Sequence, residues 1–224
     1  MRETFRVRQC CVAALASGPA GVLEPVDVPP ERELSGAVIK ARVSLEPVRD
    51  RSAALHEAAH FATGHALGAE AAAVTIDRGP HVVWERPAEN ASLAAMVALA
   101  GEIGQRWAAH RLVAPDHPDD VRELIRAIKN LEHGRCDKCQ ATLAICRLVG
   151  ASAPDPKFIA KFREIEAATV EIVRLPKVTR AICVIADELM KQGTLDGPAA
   201  RALVEPFVPA GSLVDHCNKS TKEV

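Results

Sequence analysis

Tyrosine is absent from this 224-residue chain, and five phenylalanines and two tryptophans are its only aromatic residues. So few rings leave little from which to build a base-stacking surface, and a formal net charge of −1 supplies no basic face for nucleic acid or an anionic membrane. Nucleic-acid binding is therefore not expected. Long apolar runs are lacking too: none approaches the ~20 residues that a membrane-spanning helix requires. No GxxxxGK(S/T) phosphate loop occurs, so these residues build no nucleotide-driven motor. Cysteine is present, but seven is an odd number in unrelated spacings. That argues against a secreted disulfide framework and for a reducing, cytoplasmic setting.

Residues 1–50 are read as an N-terminal extension of strands and loops. Arg2, Arg6 and Arg8 precede the apolar run CCVAALA in the manner of a signal peptide, but the run is short and Glu3 breaks the basic region. From residue 51 to about 210 the pattern is that of one mostly helical α+β domain, with a core of the size that 48% hydrophobic and 25% charged residues support. Residues 211–224 read as a flexible tail.

The chemistry concentrates in LHEAAHFATGHALG, residues 55–68. Alanine and leucine favour helix, Ser52 is placed to cap its start, and Gly68 offers a left-handed stop. His56 and His60, one helical turn apart, stack on one face where both Nε2 atoms reach a single metal ion, and Glu57 sits about 100° around the helix. This HExxH spacing is that of zinc hydrolases, in which the glutamate takes a proton from the water that zinc activates. His65, about 140° from His60, cannot join the same ion and is read as a surface or packing residue. A metzincin pattern fails at Thr63 and Ala66, where that motif needs glycine and a third histidine.

Two β-branched runs, AAVTIDRG and HVVWERP, follow as a hairpin or adjacent strands, so a small sheet is expected beside the histidine helix. Asn90 is placed to cap the next helix, whose Gly101 and Gly104 allow close approach to the alanine face of HEAAH. Pro118 suits the first turn of a third helix, with a buried stripe of Val121, Leu124, Ile125, Ile128 and Leu131. Asp120 falls on the stripe side and is the candidate third metal ligand, whereas Asp119 falls on the polar face. Glu102 is the alternative third ligand. Further helices are expected over 156–175 and 177–192, with a short one after Pro198. His133, Cys136, Cys139 and Cys146 admit two readings, a closed structural zinc site or buried thiols packing with Leu143.

In segment order the chain resembles the peptidase domain of the FtsH-type AAA+ proteases, over most of residues 51–205. HEAAHFATGHAL resembles that family's HEAGHA helix, VTIDRG the strand after it, LAAMVALAGEIGQRW its Gly-Gly helix, PDDVRELIRAI the helix bearing the third zinc ligand, and VTRAICVIADELMKQGTLDGPAARALVE its closing helices around a Thr-Leu-Asp-Gly turn. Ala59 and Gln105 depart from the family's Gly and Glu. The resemblance implies a zincin-like helical peptidase fold, Zn²⁺ held by His56, His60 and Asp120, Glu57 as general base, and a polypeptide substrate. It also implies a separate ATPase or adaptor in trans as a candidate partner. The competing class is a non-catalytic interaction protein that keeps zinc as a structural staple.

Overall fold

The computed structural model describes residues 49–217 apart from 78, 112, 131–133, 135, 151 and 216. The reading of residues 1–48 as strands and loops lies outside the described residues. The chain runs α1 (Arg51–Ala66), β1 (Glu70–Thr75), β2 (His81–Arg86), α2 (Ala91–Ala108), α3 (Pro118–Lys129), α4 (Asp137–Val149), α5 (Asp155–Arg174), α6 (Pro176–Gln192), β3 (Thr194–Asp196) and α7 (Gly197–Val204). It is α+β and predominantly helical, with one small antiparallel sheet in the order β2-β1-β3. Among the described residues no helix is long and apolar enough to cross a membrane.

Helix α1 is the axis of the molecule. It is buried almost all round, with twelve of its sixteen residues out of solvent, as befits a helix enclosed by neighbours rather than lying on a surface. Helices α2 and α6 pack along it, and β1 and β2 cover it from another side. Its start is capped by Asp50, whose Oδ1 accepts from the Ser52 amide at 2.9 Å, so the cap lies two positions before the expected Ser52. Its end is the left-handed Gly68, φ 83°. The expected closeness to α2 is real: a Cβ on Gly104 would lie 2.3 Å from the Ala59 Cβ. On the sheet side, the Trp84 ring of β2 lies across Gly64, where a Cβ would come within 2.3 Å of it.

Asn90 caps α2 through the Leu93 amide at 3.0 Å, and Pro118 opens α3. Helix α6 ends at Gly193, φ 79°, with Arg49 donating to the carbonyls of Met190, at 3.1 Å, and Lys191. The segment Thr194-Leu195-Asp196, expected to be a turn, is instead a strand. It pairs with β1 through Val74↔Leu195 and Thr75↔Thr194, and its local turn chemistry is overridden by a backbone partner distant in sequence. Residues 211–215 and 217, expected within a flexible tail, are docked. Gly211 donates to the His65 carbonyl at 2.9 Å and Leu213 to that of Ala66 at 3.0 Å, and Leu213 and Cys217 are buried. Residues 218–224 lie outside the described residues.

Candidate metal centre

Because α1 places His56 and His60 one turn apart, their rings meet edge to face with the two Nε2 atoms 3.1 Å apart. A carboxylate joins them from across the molecule. Asp137, the first residue of α4, sets Oδ2 2.8 Å from His56 Nε2 and 3.3 Å from His60 Nε2. The other nitrogen of each ring is engaged outward: His60 Nδ1 with the Val97 carbonyl at 2.7 Å, His56 Nδ1 with Gln105 Oε1 at 3.1 Å. With Nδ1–H donated to those oxygens, both Nε2 atoms present lone pairs to one point, which is how outer partners prepare histidines for a metal. Three donors so close together require a cation or a proton among them.

The residues fit a small divalent ion. Bonds of ~2.0–2.1 Å in tetrahedral array separate the donors by roughly 3.3–3.4 Å, close to the observed spacings. The backbone also leaves room, since a Cβ on Gly101 would come within 2.3 Å of His60 Nε2 and 2.6 Å of His56 Nε2. Glycine at 101 thus keeps α2 from filling the space in front of the imidazoles. The group His56, His60 and Asp137 could hold a metal ion.

Without one, the cluster shares protons. Burial opposes the charged form of His60, but the hydrogen bond and charge of Asp137, helped by Glu57, carry its pKa up to about 9. Burial likewise opposes ionisation of Asp137, yet the hydrogen bonds and charges of His56 and His60 hold its carboxyl well below the usual range. Glu57 is buried and lines the same cleft, which encloses about 1600 Å³. Burial raises its pKa, against the pull of His60 and His56. A carboxylate so placed takes up a proton more readily than one in water.

Of the residues singled out from sequence, the structure brings His56, Glu57 and His60 together and leaves Asp120 out. Asp120 is exposed in the first turn of α3, which packs on α4 and α5. Its helical phase points to the stripe side of α3, yet its side chain stays exposed while the next residue, Val121, is fully buried. Asp137 occupies the third position instead. The same phase argument applied to α4 finds it, because Ala141, Ala144 and Ile145, four, seven and eight residues on, are the buried face. In the sequence this aspartate stands between Cys136 and Cys139, whose thiols are the more conspicuous metal donors. Glu102, the alternative ligand, is committed elsewhere: it pairs with Arg106 and, at 3.2 Å, with Lys138 Nζ, which also reaches Asp116 at 2.7 Å. Burial disfavours the Lys138 charge, but Glu102 and Asp116 keep its pKa raised. That network ties the start of α4, and with it Asp137, to α2 and to the segment before α3.

Cys139 and Cys146 are buried on α4, as expected of packing thiols, and Cys136 precedes Asp137 at the rim of the cleft. His133 lies outside the described residues. His65 is buried, stacked on Phe61 and 2.9 Å from Glu205 Oε2, so it holds α1 to the chain after α7.

The fold and the site together define a helical α+β protein with a candidate two-histidine, one-carboxylate metal centre. Comparison of the chain with protein-family models finds no match, and no curated protein matches it significantly.

Proposed function

We propose that the protein is a zinc-dependent endopeptidase acting on unfolded or flexible polypeptides. One observation carries the reading: the Nε2 atoms of His56 and His60 and a carboxylate oxygen of Asp137 converge within 2.8–3.3 Å of one another, beside the buried Glu57. Two imidazoles and one carboxylate with a fourth position open to a cleft is a donor set characteristic of catalytic zinc. When bound there, zinc would lower the pKa of a water and polarise a peptide carbonyl. The chain supplies the rest. Glu57 takes the proton of the attacking water, a task for which its raised pKa suits it, and returns it to the departing amine. Gln105 and the Val97 carbonyl keep the imidazoles aimed.

The sheet accounts for the substrate class. Strand β2 is one of the two edge strands in the order β2-β1-β3, and its His81, Val82 and Trp84 line the cleft. An open strand edge beside the catalytic group holds an extended peptide by main-chain hydrogen bonds that ignore most side chains. A folded domain offers no such strand.

The test compares wild type with Glu57→Gln, at equal zinc content, on a disordered protein and on a stably folded one. Wild type should cut only the disordered substrate, and Glu57→Gln should lose about 10²- to 10⁴-fold in rate while keeping zinc. No cleavage by wild type at full zinc occupancy would replace this reading with that of a non-catalytic, zinc-stapled interaction protein. Equal cleavage by both forms would assign the activity to a contaminant.

A further inference from the structure

Two partners compete for the proton of the His56 ring. Asp137 Oδ2, 2.8 Å from Nε2, favours the tautomer with hydrogen on Nε2, because a carboxylate is a strong acceptor. That tautomer has no lone pair to offer a metal. On the opposite side Gln105 Oε1 lies 3.1 Å from Nδ1 and favours the hydrogen there. A carboxamide presents either an acceptor or a donor, and the two ends call for opposite tautomers: its oxygen requires hydrogen on Nδ1, whereas its NH₂ group donates to a bare Nδ1 and sends the hydrogen to Nε2. The NH₂ end is held by Ser52, whose Oγ accepts from Gln105 Nε2; a hydroxyl can also donate, so Ser52 anchors the carboxamide in place and leaves the matching of its ends to His56. Ser52 is available for this because Asp50, not Ser52, caps α1. His60 faces no such choice, since its Nδ1 meets a backbone carbonyl, which can only accept.

We propose that Gln105 is a positioning residue that selects the metal-competent tautomer of His56, with its carboxamide anchored by Ser52. The inference rests on the reading of His56 as a metal ligand. Gln105 does not reach the ion itself: it acts from α2, through the far nitrogen of the ring, as a counterweight to Asp137. The acceptor oxygen is what matters. A residue of the same length that accepts at the same place should serve, and one of the same bulk that cannot accept should not.

Gln105→Glu, Gln105→Met and Ser52→Ala separate these cases. Zinc dissociation constants are measured by chelator competition, and the His56 tautomer by imidazole ¹⁵N shifts of metal-free protein at a pH where the ring is neutral. Gln105→Met should weaken zinc binding by about 10- to 100-fold, as loss of such outer partners does. Gln105→Glu should stay close to wild type, and Ser52→Ala should fall between them. The neutral His56 ring should carry hydrogen on Nδ1 in wild type and shift toward Nε2 in Gln105→Met. Equal zinc affinity in wild type and Gln105→Met would overturn the proposal, as would a loss in Gln105→Glu as large as in Gln105→Met. A wild-type ring protonated on Nε2 would overturn it as well. If wild type binds no zinc yet shows the expected tautomer and its shift, the endopeptidase reading fails while the selection by Gln105 stands.

Discussion

Asp137 and Asp120 both lie in the first turn of a helix, on the side of that helix's apolar stripe, and only one of them meets the histidines. The helix dipole accounts for a carboxylate at either position, so the distinction rests on what faces each. Asp137→Ala should empty the metal site, with a loss larger than the ~10–100-fold that outer partners cost, and Asp120→Ala should leave it full. Elemental analysis of the two variants decides. Metal retained in Asp137→Ala and lost in Asp120→Ala would return the third ligand to α3. The same cluster predicts a pH dependence. In metal-free protein His60 is raised from 6.5 to about 9. A folded pKa above the unfolded one contributes stability that is complete below the unfolded value and disappears as pH rises through the folded one. Metal-free protein should therefore unfold at lower urea concentration at about pH 9.5 than at about pH 6, and zinc, standing in for the proton, should abolish the difference. A midpoint that does not move in metal-free protein would contradict the shared-proton arrangement.

At the scale of elements, the seam between α1 and α2 does two jobs with two glycines. Gly104 lets the helices touch at Ala59, and Gly101, one turn before it, leaves the space in front of the imidazoles. The two alanine substitutions should differ in kind. Gly104→Ala forces the helices apart and should cost about 1–3 kcal/mol by overpacking, read as a lower urea midpoint with zinc still bound. Gly101→Ala puts a methyl among the ligand atoms and should lose zinc. A Gly104→Ala variant more stable than wild type would mean that the helix-propensity gain of about 1 kcal/mol outweighs the contact, and that the seam is looser than the distances state.

For the molecule as a whole, the site depends on α1 being held from every side, including its far end. There residues 211–215 return to cover the last turn, bonding to the carbonyls of His65 and Ala66 and burying Leu213, while Glu205 takes His65 Nε2. A residue in a flexible tail could be truncated at no cost. Leu213→Ala should instead destabilise the protein by about 2–5 kcal/mol, as for a buried leucine. Thermal or urea unfolding measures this, and an unchanged midpoint would show that the segment does not dock.

Much of this was settled by sequence alone, wherever the deciding interaction is local. The four-residue spacing of His56 and His60 puts them on one face of any helix, Asn90 marks a helix start through a bond made within a turn and Pro118 through its fixed φ, and Gly68 and Gly193 mark ends because few other residues adopt a positive φ. The mostly helical α+β class follows from the same periodicities. Tertiary structure alone decided the third donor, 81 residues from His56, as well as the pairing of β3 with β1 and the docking of 211–215. It also placed Gln105 behind His56 and Ser52 behind Gln105. The physical reason is common to all of them: periodicity fixes the direction in which a side chain leaves its own helix, but what stands in that direction is set by how distant segments pack.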